Sequence, residues 1–236
     1  MSTEGALAGL VTFDNLNVEY ENAYKDNPFK KACVSHLISL LSPGSKVLDV
    51  GCGTGIPVSD MLATAGFDVV GTDISPKMVK LASDRVKGKF TVADMLTYEP
   101  EGEFAAVLMI FCHLQLEYRD FWSAAYKFAK ALQPGGYFAL GQMPSDRYVE
   151  KEKLDETGTF VVDDAPFMGE MLPTLMLSAE GQREFFRSMG LEVVWERTDL
   201  FQPKNEKCDP EEQQYIIARR PSDKTVEEPK PKPKES

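Results

Sequence analysis

The chain is poor in cysteine and poorer in histidine, with four of the first and two of the second in 236 residues. Cys33, Cys52, Cys112 and Cys208 are scattered, with no CxxC pair and no metal-ligand spacing. A disulfide framework is not expected, no metal site is expected, and a reducing compartment fits better. Long apolar runs are missing too. The longest, 104–111, is far too short to span a bilayer. No Lys or Arg precedes Phe13, and the apolar stretch there is broken by glycine, so no secretory signal is expected. Clustered basic residues are also absent, and the net charge is -11. Phosphate neutralisation needs such clusters, so nucleic acid is not an expected partner. These absences leave a cytoplasmic protein with neither membrane nor nucleic-acid contacts as the expectation; oligomeric state is left open.

What is present is ordinary for a globular fold: 43% hydrophobic and 27% charged residues. A chain this long can bury a core without staples. From about Lys46, strand and helix signals alternate, as in an α/β sheet. Strands are expected at 46–50, 68–74, 89–95, 104–111, 136–143, 191–198 and 213–219. Helices are expected at 56–65, from Ser75-Pro76 onward, at 118–132 and at 178–189. Ser75 and Pro76 fit a cap and first helical position. The 104–111 strand is apolar throughout, as a central parallel strand must be. The last two strands follow one another without a helix, so they can pair antiparallel.

The expected fold is therefore a seven-stranded, doubly wound α/β sheet, mostly parallel with an antiparallel last strand and helices on both faces. It forms one domain, 1–220, with an N-terminal helical cap at 13–41. Residues 144–177 are expected as a substrate-side insertion. The Pro-, Lys- and Glu-rich tail, 221–236, is expected to be disordered.

The sharpest motif is Asp49-Val50-Gly51-Cys52-Gly53-Thr54-Gly55, directly after a buried strand. Glycines there allow a tight turn and a close approach of backbone to ligand. A nicotinamide fingerprint would need a third glycine at Ile56 or Val58 and lacks it. Asp73 ends the second strand about 20 residues on, where a carboxylate can accept from both ribose hydroxyls. Ile74 and Met78 are placed to cover an adenine face. Asp94-Met95 follows the third strand. Phe111-Cys112-His113 closes the central strand, beyond whose carboxyl end ligands bind in open α/β sheets. His113 is thus a candidate general base; it could equally orient substrate or close the strand. His36 sits on the N-terminal helix and reads as structural. Ahead of the sheet stands Phe13-Asp14, followed by Tyr20-Glu21, with Tyr24 one helical turn on.

The D-x-G-x-G-x-G pattern resembles the first motif of class I (Rossmann-like) S-adenosylmethionine-dependent methyltransferases of the small-molecule type. The resemblance runs from about Phe13 to Arg219 and is most specific between Val47 and Met95. It implies S-adenosylmethionine as cofactor and S-adenosylhomocysteine as product. The implied cofactor site comprises Tyr20, Asp49, Gly51, Cys52, Gly53, Gly55, Asp73, Ile74, Met78, Asp94, Met95 and Phe111. Tyr20 would reach the methionine carboxylate and Asp94 the adenine amino group. The acceptor, a small and hydrophobic metabolite of the kind met in secondary metabolism, is expected under the N-terminal helix and the 144–177 segment. Tyr24, Phe167, Met168 and Met171 are its expected walls, and Asp163 and Asp164 could greet a cationic acceptor. Two alternatives stay open: a cyclisation or rearrangement run on the same cofactor fold, and a non-catalytic partner protein.

Overall fold

The computed structural model describes residues 3–150 and 159–233, without the side chains of Asp163 and Asp164. The sheet begins with β1 (Lys46–Val50), β2 (Asp68–Asp73) and β3 (Lys89–Val92). It returns to β4 (Phe104–Ile110), continues to β5 (Leu132–Gln142), and ends with β8 (Glu192–Phe201) and β9 (Glu211–Arg219). The spatial order is β3-β2-β1-β4-β5-β9-β8. β1 to β5 are parallel; β9 runs antiparallel to both neighbours, β5 and β8. The seven expected strands are all present. The last of them along the chain, β9, is the antiparallel one, and it lies between β5 and β8.

Strand alternation divides the core. Val47, Val69, Leu108 and Ile217 face α2 (Pro28–Leu40) and α3 (Val58–Thr64), meeting Val34, Leu37 and Leu62. Leu48, Val107, Phe138 and Ile216 face α5 (Tyr118–Lys130) and α6 (Ala179–Ser188), meeting Phe121, Phe128 and Phe186. Covering both faces explains why every residue of β4 is buried. α4 (Pro76–Arg85) packs on β2 and β3, and Ser75 caps it by accepting from the Met78 N–H at 3.1 Å.

The N-terminal cap is two helices. α1 (Glu4–Tyr24) and α2 are separated where Asn27 caps the second and Pro28 opens it. α1 is kinked at Asn17, whose φ is 22°. Asn17 holds the kink locally, its amide donating to the Asp14 carbonyl at 2.9 Å. Between β5 and α6 a 3₁₀ turn, Ser145–Arg147, precedes a hairpin of β6 (Thr159–Phe167) and β7 (Glu170–Leu177). Met168 and Gly169 join its strands with φ of 51° and 90°, as a two-residue type I′ hairpin turn requires.

The tail corrects an expectation. Residues 221–233 lie along α5 and α6 instead of being free. Trp122 Nε1 donates to the Pro229 carbonyl and Tyr118 Oη to the Pro231 carbonyl, each at 2.9 Å. The Lys230 N–H donates to Ser188 Oγ at 2.7 Å, and Val226 packs on the core. A segment without a core of its own is held here by hydrogen bonds to α5 and α6 and by the packing of its own Val226 on the core.

Candidate active site

The chain runs outward from β1 to β3 and then crosses to β4 on the other side of β1. That reversal leaves a crevice at the carboxyl ends of β1 and β4. Its first wall is the loop after β1. Gly51 has φ +66°, and a Cβ built on it would lie 2.1 Å from the Cβ of Cys112 after β4. Nothing but glycine fits between these two strand ends. A Cβ on Gly53 would meet nothing within 4 Å; this backbone faces open space.

Asp73 organises the loop from the end of β2. One carboxylate oxygen accepts from the Gly53 N–H and the other from the Ser75 N–H, both at 2.9 Å. Burial raises its pKa, and the two backbone donors oppose the rise. Asp49 lies beneath, accepting from Ser59 Oγ at 2.6 Å; burial pushes its pKa up to about 7. Gly55 packs on Val86 and Ala82.

The cleft so formed encloses about 800 Å³ of empty space, its open mouth included. Tyr20, Gly51, Gly53, Asp73, Ile74, Met78, Asp94, Met95 and Phe111 all line it. Asp49 and Cys52 instead border a small recess behind the loop, shared with Tyr20 and Lys30. Gly55 lines neither, and its part is to let α4 approach. At the far wall, Asp94 Oδ1 accepts from the Leu96 N–H at 2.9 Å. Asp94 Oδ2 is buried and has no hydrogen-bond partner among the described residues. It is an acceptor waiting for a donor.

α1 roofs the cleft with Leu10, Phe13 and Tyr20. Three ties hold the roof. Asp14 accepts from Ser75 Oγ and pairs with Lys77 at 3.3 Å. Glu21 pairs with Arg85 at 2.8 Å. Arg85 also donates to the Thr54 carbonyl at 3.1 Å, so roof, loop and α4 share one guanidinium.

A second cavity adjoins the first. Phe13, Tyr20, Phe111 and Gln115 line both. Beyond them it is walled by Tyr24, Leu114, Met143, Pro166 and Phe167, and Glu211 enters from the start of β9. It continues outward into a wider opening bordered by Met168, Met176 and Tyr148. Lys30 is buried beside it, its Nζ 5.7 Å from the ring centres of both Tyr24 and Phe111. Burial lowers the Lys30 pKa to about 8, against the pull of Glu211 and Asp49.

Three expectations change, and a fourth is left untested. His113 does not line either cavity: it is fully buried, stacked on Phe121 with ring centres 4.7 Å apart, and its Nε2 meets Gln142 Oε1 at 2.9 Å. Burial holds its pKa down to about 4. Phe111, with φ 58°, breaks the strand alternation, and His113 packs beneath α5. His113 is a core residue rather than a base facing the cleft. Met171 is 56% exposed on the hairpin and lines no part of the second cavity. Met168 reaches only the outer opening. Asp163 and Asp164 fall outside the described side chains. Conversely, Gln115, Met143 and Glu211 line the second cavity without any motif to mark them.

Residues 47–136 match the family model of a methyltransferase domain. That stretch of the chain is therefore similar to a methyltransferase domain. Among curated relatives, the 27-O-demethylrifamycin SV methyltransferase of Amycolatopsis mediterranei is 32% identical over 138 residues, covering 52% of this chain and 49% of that protein. The chain thus spans about half the length of the curated relatives it matches. Solved structures share the chain's fold across nearly its whole length. The 1,6-didemethyltoxoflavin-N1-methyltransferase of Burkholderia thailandensis, solved with that compound and S-adenosylhomocysteine, superposes with TM-score 0.67 at 14% identity, covering 94% of this chain and 92% of the other. The magnesium protoporphyrin IX methyltransferase of Synechocystis, solved with S-adenosylmethionine, gives 0.63 at 18% identity, covering 93% and 98%.

Proposed function

We propose that this protein transfers a methyl group from S-adenosylmethionine to a small, hydrophobic metabolite. The observation that carries the reading is the pair of joined cavities. One is polar-edged and glycine-lined at the sheet's switch point; the other is aromatic and opens to solvent.

The residues of the first cavity fit the cofactor. Asp94 Oδ2, buried without a partner, suits the adenine amino group. Asp73 has lone pairs left for the ribose hydroxyls, since a carboxylate offers about four acceptor sites and two are engaged by Gly53 and Ser75. Ile74, Met78 and Met95 would cover the ring, and the open backbone at Gly53 leaves room for the amino-acid portion under Tyr20. The cofactor would supply a methyl already activated by its sulfonium.

What the chain contributes is alignment. The junction of the cavities is made by Phe13, Tyr20, Phe111 and Gln115, none of them a base near neutrality. Burial raises the Tyr20 pKa further above its ordinary value. Aromatic walls there exclude water and hold the acceptor in one orientation. Such positioning can lower a barrier by ~7–11 kcal/mol. The test is incubation with methyl-labelled S-adenosylmethionine and an apolar metabolite extract. Label is expected in a small apolar product, with stoichiometric S-adenosylhomocysteine. Label found only in protein or RNA, or none transferred, would refute the reading.

A further inference from the structure

The second cavity is mainly aromatic and aliphatic, with Gln115 and Thr174 as neutral polar groups in its lining and one charge. Tyr20, Tyr24, Phe13 and Phe167 form a continuous ring cluster, with centres 4.9 Å apart for Tyr20 and Tyr24, 5.8 Å for Phe13 and Phe167, and 6.3 Å for Tyr24 and Phe167. Into it comes Glu211, which is the only formally charged side chain lining this cavity among the described residues. Glu211 also lines the outer opening, so it stands at the neck between the two.

The surroundings of Glu211 are arranged for a carboxylate. Tyr24 Oη donates to Oε2 at 3.3 Å, and the Gln213 amide donates to Oε1. Lys30 lies close enough to attract it, though the two make no ion pair. Two donors occupy two of about four acceptor sites. Burial works against the charge by raising the pKa of Glu211, and these partners oppose it. An ionised carboxylate only accepts hydrogen bonds, and lone pairs turned to an apolar cavity are left short of donors. A ligand that brings an O–H or N–H to this point relieves that deficit; one that brings a carbonyl or carboxylate worsens it.

The geometry points to Glu211 as the polar anchor of the acceptor site, selecting flat, apolar molecules that carry one hydroxyl or N–H group. This rests on reading the second cavity as the acceptor site. It goes further by fixing the acceptor's chemistry and the residue that recognises it. A site built around a buried polar group discriminates strongly against an analogue lacking the partner.

The test uses 2-naphthol and naphthalene, which differ by one hydroxyl. Their binding to the full chain is measured by calorimetry with and without saturating S-adenosylhomocysteine. The wild type should bind 2-naphthol at least about tenfold more tightly, the value of one hydrogen bond to a charged group. Glu211→Leu should abolish that preference while keeping affinity for naphthalene. Glu211→Gln, which keeps a neutral carbonyl acceptor, should retain part of it. Melting temperature and S-adenosylhomocysteine affinity serve as folding controls for both variants. If Glu211→Leu does not fold, Glu211→Gln decides: an undiminished preference overturns the proposal. Equal wild-type affinities for the two probes, or no binding of either, overturns it as well. Failure to bind S-adenosylhomocysteine would instead strike the methyltransferase reading, and the probe titrations without it keep the two failures apart.

Discussion

The two cavities share four residues but are built in opposite ways. The cleft at β1 and β4 is made of backbone: glycines with positive φ, N–H groups held by Asp73, and strand ends so close that Gly51 nearly touches Cys112. The second cavity is made of side chains from α1, the β6–β7 hairpin and the start of β9. Backbone construction leaves few permitted residues at each position. Side-chain construction leaves many, since one apolar wall can replace another at little cost. The first should therefore be intolerant of change and the second adaptable, which suits a common cofactor and a particular acceptor.

Substituting Gly51 tests this contrast most severely. Gly51→Val places a β-branched residue in the left-handed region, costing ~1–2 kcal/mol, and overpacks the strand ends for another ~1–3 kcal/mol. The melting temperature should fall by several degrees and S-adenosylhomocysteine binding should vanish in calorimetry; a stable variant that still binds would show that the strand ends are not closely fitted.

Asp73→Asn should be next in size. It replaces one acceptor oxygen by a donor and removes the charge, so S-adenosylhomocysteine affinity should drop by about tenfold or more, given ~1.5–3 kcal/mol for each charged hydrogen bond lost. Unchanged affinity would mean that Asp73 only holds Gly53 and Ser75.

Two changes away from both cavities sharpen the comparison by their expected silence in binding. His113 has a folded pKa of about 4, below its ordinary 6.5. Between these values the unfolded chain binds the proton and the folded chain does not, so this group makes stability fall as pH drops from 6.5 toward 4. The contribution is up to roughly 3 kcal/mol. Asp49, raised to about 7, acts in the opposite sense, so the informative quantity is the difference from His113→Gln. That variant should lose the His113 contribution in denaturant titrations across this range, with turnover per folded molecule within a factor of about three of wild type. A turnover loss of ~10²–10⁴-fold, the signature of a missing general base, would return His113 to the mechanism.

Truncation after Arg220 should have the smallest effect. It removes the hydrogen bonds of Tyr118, Trp122 and Ser188 to the tail, each worth ~0.5–1.5 kcal/mol net before the entropy of ordering is set against it. A loss of about 1–2 kcal/mol is expected, with a red shift of Trp122 emission and unaltered S-adenosylhomocysteine affinity. An identical emission spectrum would mean that the tail leaves α5 in solution.

How much was legible in the residues follows from the same contrast. The strands could be read from their apolar runs, and the glycine loop because geometry restricts Gly51, Gly53 and Asp73 to particular residues. Of the second cavity's walls, Tyr24 and Phe167 were expected from the sequence and do line it, whereas Met143 was not, because it looks like any core residue until its position is known. Glu211 had no flanking motif and was invisible for that reason. His113 was misplaced because its position after a strand says nothing about side-chain direction once Phe111 turns left-handed. The tail's composition showed the lack of a core in 221–233 but not the donors waiting on α5 and α6.

The most direct test of the central claim is a calorimetric titration of the full chain with S-adenosylhomocysteine and, separately, with NAD. Saturable one-to-one binding of S-adenosylhomocysteine is expected, with no measurable heat from NAD. Tighter binding of NAD, or no binding of S-adenosylhomocysteine by folded protein, would contradict it.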